Sequence, residues 1–320
     1  MIVDAHAHTF EQIRGRSRSG PTRGAGYGRL RRGQSDVIQL LPPVCRGTTF
    51  PPDVLVAMMD WQGVDRAVLL QGDFYGEANQ YVARAVARYP DRLVGAAYLD
   101  PRAPNCREVL HSCLDEHGFG ILKLEMSEDA GLTGLYPDLR LDEPGMRWLW
   151  QEADSRRLVV TLDLGSIGTR SYQTRELRAV LDDYPGLRVV IAHLAHPPLG
   201  DPTNDTLNQA WREQLLLGRR PNVWFDLAAL PIYAPDEDFP YPSARDCIRQ
   251  AVDEVGAGSL MWGTDIPGLI SYATYEQLRT IVTRHCDFFT EEELAHVMGL
   301  NALEVYWGAG MAFPAGVAGS

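Results

Sequence analysis

The sequence predicts an α/β fold, a single (β/α)8 TIM barrel with a long insertion after its first strand, and three observations point there. Short apolar runs alternate with amphipathic helical segments from one end of the chain to the other. The runs are apolar at almost every position, as parallel strands covered on both faces must be. Imidazoles and carboxylates recur where the runs end, and such barrels gather their chemistry at the C-terminal ends of their strands.

Taken in order, the strand candidates are Ile2–His8, Asp65–Gln71, Leu93–Leu99, Phe119–Glu125, Arg157–Leu164, Leu187–Leu194, Asn222–Ala228 and Ser259–Asp265. Several are rich in β-branched residues. Pro52 and Asp53 open the first helix, whose repeating face carries Val54, Leu55, Met58 and Met59. Helices follow over 77–89, 105–117, 145–156, 174–184, 206–218, 243–255 and 274–285, with Asn105 expected as an N-cap. Two more, near 290–298 and 301–307, are expected to pack outside the barrel. The 320 residues accommodate one barrel domain with insertions, so residues 1–320 read as a single domain. Residues 10–51 break the rhythm, being far longer than the usual βα loop of about 2–6 residues. This segment holds Arg14, Arg16, Arg18, Arg23, Arg29, Arg31 and Arg32 among glycines. On the catalytic face it reads either as a lid over an anionic substrate or as a mobile arm that touches another subunit, the latter suiting a homodimer.

Composition narrows the function classes. Hydrophobic residues make up 45% and charged residues 22%, an ordinary globular mix with apolar side chains enough for a large core. The net charge of −12 argues against nucleic-acid and anionic-membrane partners, both of which demand a basic face. The five cysteines lack any CxxC spacing and read as reduced thiols. The opening MIVDAHAH has neither a basic start nor a long apolar run, and no stretch approaches the ~18–20 apolar residues of a membrane helix. A soluble cytoplasmic protein with a small-molecule substrate is expected.

The polar strand ends carry the functional reading. His6 and His8 lie two apart, so a regular strand points both to one side. Lys123 and Glu125 share a parity, as do Thr161 and Asp163, Ile191 and His193, and Gly263 and Asp265. Buried together, such charges need compensation, and a divalent cation supplies it. Two histidines and one or two aspartates make a nitrogen and oxygen ligand set suited to Zn2+, Mn2+ or Fe2+. Asp265 or His193 could take the proton from a water held there. HxH alone is a common accident; joined to Asp265 on the last strand it is far more specific. His196 stands outside its strand beside Pro197 and reads as a loop residue. His111, His117, His285 and His296 lie on helices and read as surface residues.

IVDAHAH, MMDWQGVDRAVLL, LRVVIAHLAH, LMWGTDIP and GLNALEVYW resemble, in order and over nearly the whole chain, the amidohydrolase-related family of metal-dependent hydrolases and decarboxylases. The resemblance implies that His6 and His8 bind metal, that Asp265 is both ligand and base, and that His193 handles a proton or polarises the substrate. It departs at the fifth strand, where relatives place a metal-binding histidine and this chain has Asp163. A carboxylate there favours Mn2+, Fe2+ or Mg2+ relative to a three-histidine zinc site. The expected cofactor is one divalent ion held by His6, His8, Asp163 and Asp265, with Asp265 and His193 catalytic and Lys123 and Glu125 binding substrate. Metal-dependent hydrolysis of an amide, lactone or related bond in a carboxylate-bearing substrate is the leading expectation. Non-oxidative decarboxylation of an aromatic or unsaturated acid is the alternative, and a metal-free binding protein the third reading.

Overall fold

The structure is a computed structural model and describes residues 1–34 and 36–308, so the last twelve residues of the expected 1–320 domain lie outside the described residues. Strand β1 (Val3–Ala7) is followed by four short strands, β2 (Arg14–Ser17), β3 (Gly20–Gly24), β4 (Arg29–Arg32) and β5 (Asp36–Gln39). Then come β6 (Arg66–Leu69), β7 (Leu93–Tyr98), β8 (Ile121–Glu125), β9 (Val159–Asp163), β10 (Arg188–Ile191), β11 (Val223–Asp226) and β12 (Leu260–Met261). Eight of them form one parallel sheet in the order β1-β6-β7-β8-β9-β10-β11-β12. It closes where the Ala5 amide donates to Trp262 O (3.0 Å) and the Asp265 amide donates to His6 O (2.7 Å). Each barrel strand lies inside a run that the sequence marks out, and helices connect them, so the fold is a (β/α)8 barrel.

The helices form for legible reasons. Pro52 begins the first at a position whose missing N–H costs nothing, and Gly63 ends it in the left-handed conformation. Thr274 and Thr290 each close a capping box, with Gln277 and Glu293 respectively. Asn105 makes no side-chain cap, contrary to expectation. No helix among the described residues is long and apolar enough to cross a membrane.

Inside the barrel Val3, Ala5, Val68, Leu70, Val94, Ile121, Val159, Val190 and Met261 form one buried cluster. Ala302, Val305, Tyr306 and Trp307 join that same cluster, and the Tyr306 hydroxyl lies 3.1 Å from Thr161 Oγ1. The helix over Leu303–Trp307 therefore stoppers the barrel floor and does not pack outside, because its apolar residues pack with those inside the strands. All the chemistry is left to the other end.

The segment 10–51 is no irregular loop. Its strands β2 to β5 make a four-stranded antiparallel sheet in sequence order. The sheet escapes a hydrophobicity pattern because its inward residues include Gly15, Ser17 and Thr22, small or polar rather than apolar. A Cβ at Gly15 would stand 2.0 Å from Asp73 O, so only glycine permits this close docking. The sheet is pinned to the loop after β6: Arg16 N donates to Asp73 O (2.7 Å), Thr22 Oγ1 to Phe74 O (2.6 Å), and the Arg16 guanidinium to Asp100 (2.9 Å) and Asp73 (3.2 Å). The insertion thus braces the segment that carries Phe74 and Tyr75 into the site.

Candidate metal and acid–base site

At the C-terminal mouth of the barrel lies a cavity of about 340 Å3. Its position follows from one irregularity in β1. Relative to β6, β1 holds an extra residue between Asp4 and Ala7. Strict alternation would turn His6 away from the side taken by Val3 and Ala5. The bulge re-aims it, so both His6 and His8 reach the cavity above the inner cluster. Asp4 locks the arrangement, accepting from Thr264 N (3.0 Å), Thr264 Oγ1 (2.7 Å) and Tyr275 OH (3.0 Å) and so tying β1 to the segment that ends in Asp265. Burial pushes the Asp4 carboxyl up to about 7 despite these donors. Asp265 itself is held at φ 59, a left-handed geometry that aspartate tolerates better than most residues.

The hydrogen-bond pattern determines where the lone pairs point. His8 Nδ1 donates to the carbonyl of Leu70 (2.9 Å), which can only accept, so the neutral ring presents a lone pair on Nε2. His6 Nδ1 donates to Asp226 Oδ2 (2.9 Å). Burial would raise the Asp226 carboxyl, but His6 and His193 outweigh it and hold the group at about 2. Burial in turn lowers the His6 imidazole to about 4, so its Nε2 also presents a lone pair. Both rings face Asp265 Oδ1, His8 Nε2 at 2.9 Å and His6 Nε2 at 3.8 Å. A single proton satisfies one such pair; a divalent cation satisfies all three atoms. Two ligands about 2.1 Å from one ion sit about 3.0–3.4 Å apart, and the observed distances bracket that spacing. His6, His8 and Asp265 therefore fit a metal, with Leu70 O and Asp226 orienting the rings from behind.

The other side of the cavity is built differently. After β10 the chain runs through four consecutive non-glycine residues with positive φ, His193 (57), Leu194 (48), Ala195 (58) and His196 (53). Left-handed geometry costs an L-residue roughly 1–2 kcal/mol, and neighbours hold the turn in place. Trp211 Nε1 donates to Leu194 O (2.7 Å), Tyr172 OH to Ala195 O (3.1 Å), and His193 N to Asp226 Oδ1 (2.8 Å). In a tight turn residues i and i+3 come together, so both imidazoles reach Asp163. His196 Nε2 donates to Asp163 Oδ1 (2.8 Å), and His193 Nε2 stands 3.3 Å from Oδ2. The Gly165 amide adds a third donor at 2.8 Å, and Tyr233 OH lies 2.9 Å from His196 Nδ1. Burial would raise the Asp163 carboxyl, but the imidazoles outweigh it and hold it well below the carboxylate range. Burial would lower the His193 imidazole, yet Asp163 outweighs it and pushes the group up to about 9.

The expected residues thus meet around one cavity, in a different grouping. Asp163 does not join His6, His8 and Asp265; it groups with His193 and His196, its Oδ1 accepting from His196 and Gly165 while Oδ2 faces His193 Nε2 at 3.3 Å. His196, read as a loop residue, is part of the site, and so are Asp226 and Tyr233. Asp226 carried the same signal as the others, a carboxylate ending an apolar run. Glu125 lines the cavity and accepts from Ser127 N (3.2 Å), and burial together with Asp163 pushes it up to about 8. Lys123 does not line it. One pleat deeper and 1% exposed, its ammonium lies 3.6 Å from Glu125 Oε2 and makes no hydrogen bond with the described residues. The insertion's Arg14 and Arg23 border a separate hollow of about 740 Å3. The cationic contacts expected for an anionic substrate are therefore missing from the described cavity wall.

The family model that matches describes an amidohydrolase and covers residues 3–307. An L-fucono-1,5-lactonase of Burkholderia ambifaria is 26% identical over 267 residues, covering 80% of this chain and 85% of the relative. An amidohydrolase from Burkholderia multivorans, solved with bound zinc, superposes with TM-score 0.71 at 18% identity, covering 96% of this chain and 99% of the other. A probable 2-pyrone-4,6-dicarboxylic acid hydrolase from Acinetobacter baumannii, solved with citric acid, gives TM-score 0.69 at 18% identity and the same coverage.

Proposed function

Because this chain belongs to the amidohydrolase family and is an enzyme, we propose that it hydrolyses a lactone, opening the ring ester to a hydroxy acid. The observation that carries this reading is the meeting, in one cavity, of three inward lone pairs with a separate pair of imidazole donors. The similarity to a lactonase across most of both chains supports it.

His6 Nε2, His8 Nε2 and Asp265 Oδ1 would hold a divalent cation, zinc or manganese before iron or magnesium, and its contribution when bound is Lewis-acid polarisation of the ester carbonyl. The remaining work falls to side chains. Asp265 uses one oxygen towards the histidines, while Oδ2 accepts no hydrogen bond from the described residues and is available to take a proton from the attacking water. His193, kept protonated by Asp163, lines the cavity and would stabilise, as a positive charge, the oxygen on which charge develops. His196, held between Asp163 and Tyr233, has both ring nitrogens engaged and positions Asp163, so the proton that Asp265 takes from water would be the one passed to the ring oxygen as it leaves. Water oxygen bonds to the acyl carbon, the acyl–oxygen ring bond breaks, the ring oxygen ends as a hydroxyl, and the new acid releases one proton.

That proton is the readout. Purified protein supplied with Zn2+ or Mn2+ is incubated with a panel of γ- and δ-lactones, and with hydroxybenzoates, in a weakly buffered indicator assay with parallel CO2 detection. Acid release from lactones without CO2 is expected. CO2 from the hydroxybenzoates without lactone turnover would replace this reading with decarboxylation, and no turnover of either would favour a binding protein.

A further inference from the structure

We propose that the cavity selects a neutral, polyhydroxylated lactone and disfavours one that carries a carboxylate; this rests on the hydrolase reading of the same site. The wall formed after β8 presents Glu125, Ser127, Glu128 and Asp129, and the wall after β9 presents Ser166 and Thr169. With Asp163 and Asp265 these place five carboxyl groups around the space, and no lysine or arginine is among its lining residues.

Two positive side chains beside the space are already engaged, and the exposed Arg170, which follows Thr169, is not among the lining residues. Arg18 reaches in from the insertion but donates to Glu128 at 3.0 Å. Lys123 is sealed beneath the wall beside Glu125, and the imidazoles of His193 and His196 are both bound to Asp163. An added substrate carboxylate placed against the wall after β8, away from His193 and the cation cluster, would meet Glu128 and Asp129 with no guanidinium or ammonium among the lining residues to receive it. Hydroxyl groups meet the opposite situation. Each can donate to a carboxylate, and each can also accept from a serine or threonine hydroxyl. Phe74, Tyr75 and Ile232 supply apolar surface for the C–H face of a small ring.

The test compares a hexono-1,4-lactone ending in a primary alcohol with the matching monolactone whose C6 is a carboxylate. In the holoenzyme the neutral lactone is expected to show kcat/KM at least about tenfold higher. Asp129 is exposed on the wall, so replacing it does not threaten the core. Asp129→Lys is expected to shrink that ratio at least about fivefold, mainly through KM of the carboxylated lactone. Equal or better turnover of the carboxylated lactone by the unaltered protein overturns the proposal alone, as does an unchanged ratio in Asp129→Lys. Failure to turn over either lactone overturns the hydrolase reading and this proposal with it.

Discussion

The two flanks of the cavity hold the same residue types, two histidines and an aspartate each, yet they are wired in opposite senses. On the β1 and β12 flank, the Nδ1 protons of His6 and His8 are spent outward, on Asp226 and Leu70 O. The Nε2 atoms consequently face inward with Asp265. On the β9 and β10 flank, the imidazole Nε2 atoms meet Asp163 directly, one on each carboxylate oxygen. The same residue types therefore fit a cation on one side and form a donor pair to Asp163 on the other. What decides is the partner behind each ring.

This contrast can be broken by substitution. The largest effect is expected from Asp265→Asn, which removes an anionic ligand and the base together; kcat/KM for a lactone should fall about 10²–10⁴-fold, and metal content should fall with it. Steady-state kinetics and elemental analysis check both, and retention of full activity would remove Asp265 from the chemistry. Asp163→Asn should separate the flanks. Metal content is expected to stay at the unaltered level while kcat drops about 10–100-fold; loss of metal equal to that in Asp265→Asn would mean that the two sides are one site.

Smaller effects sharpen the difference in backbone. Trp211→Phe deletes the donor to Leu194 O and should cost about 1 kcal/mol in denaturant unfolding, with a severalfold loss of kcat as the turn loosens. Ala195→Gly replaces a left-handed alanine by the residue that tolerates this geometry best. It should stabilise the fold by about 0.5–1 kcal/mol after the entropy of the unfolded chain is counted; destabilisation of that size would show that the turn carries no strain.

Much of this was legible in the residue order. All eight barrel strands announce themselves because burial on both faces forces uninterrupted apolar runs, and a charge that ends such a run stands out. His6, His8, Asp163, His193 and Asp265 were found that way, and Asp226 could have been. His196 could not, since it reaches the site through a left-handed turn of His, Leu, Ala and His, for which no local propensity speaks. The insertion's sheet stayed hidden because glycine, serine and threonine take the inward positions of β2 and β3, leaving Leu30 of β4 as an isolated buried apolar residue. The grouping of Asp163 was equally out of reach: strand position places a carboxylate at the rim, but only three-dimensional neighbours show whether its oxygens are already taken. The closing helix showed its apolar residues plainly, yet amphipathicity does not say which end of a barrel they seal.

The most direct test is a crystal structure of the protein loaded with Zn2+ or Mn2+, with anomalous scattering recorded at the metal's edge. One peak is expected, about 2.0–2.2 Å from His6 Nε2, His8 Nε2 and Asp265 Oδ1, with none beside Asp163. A peak lodged among Asp163, His193 and His196, or a crystal with no ion at His6 and His8, would contradict it.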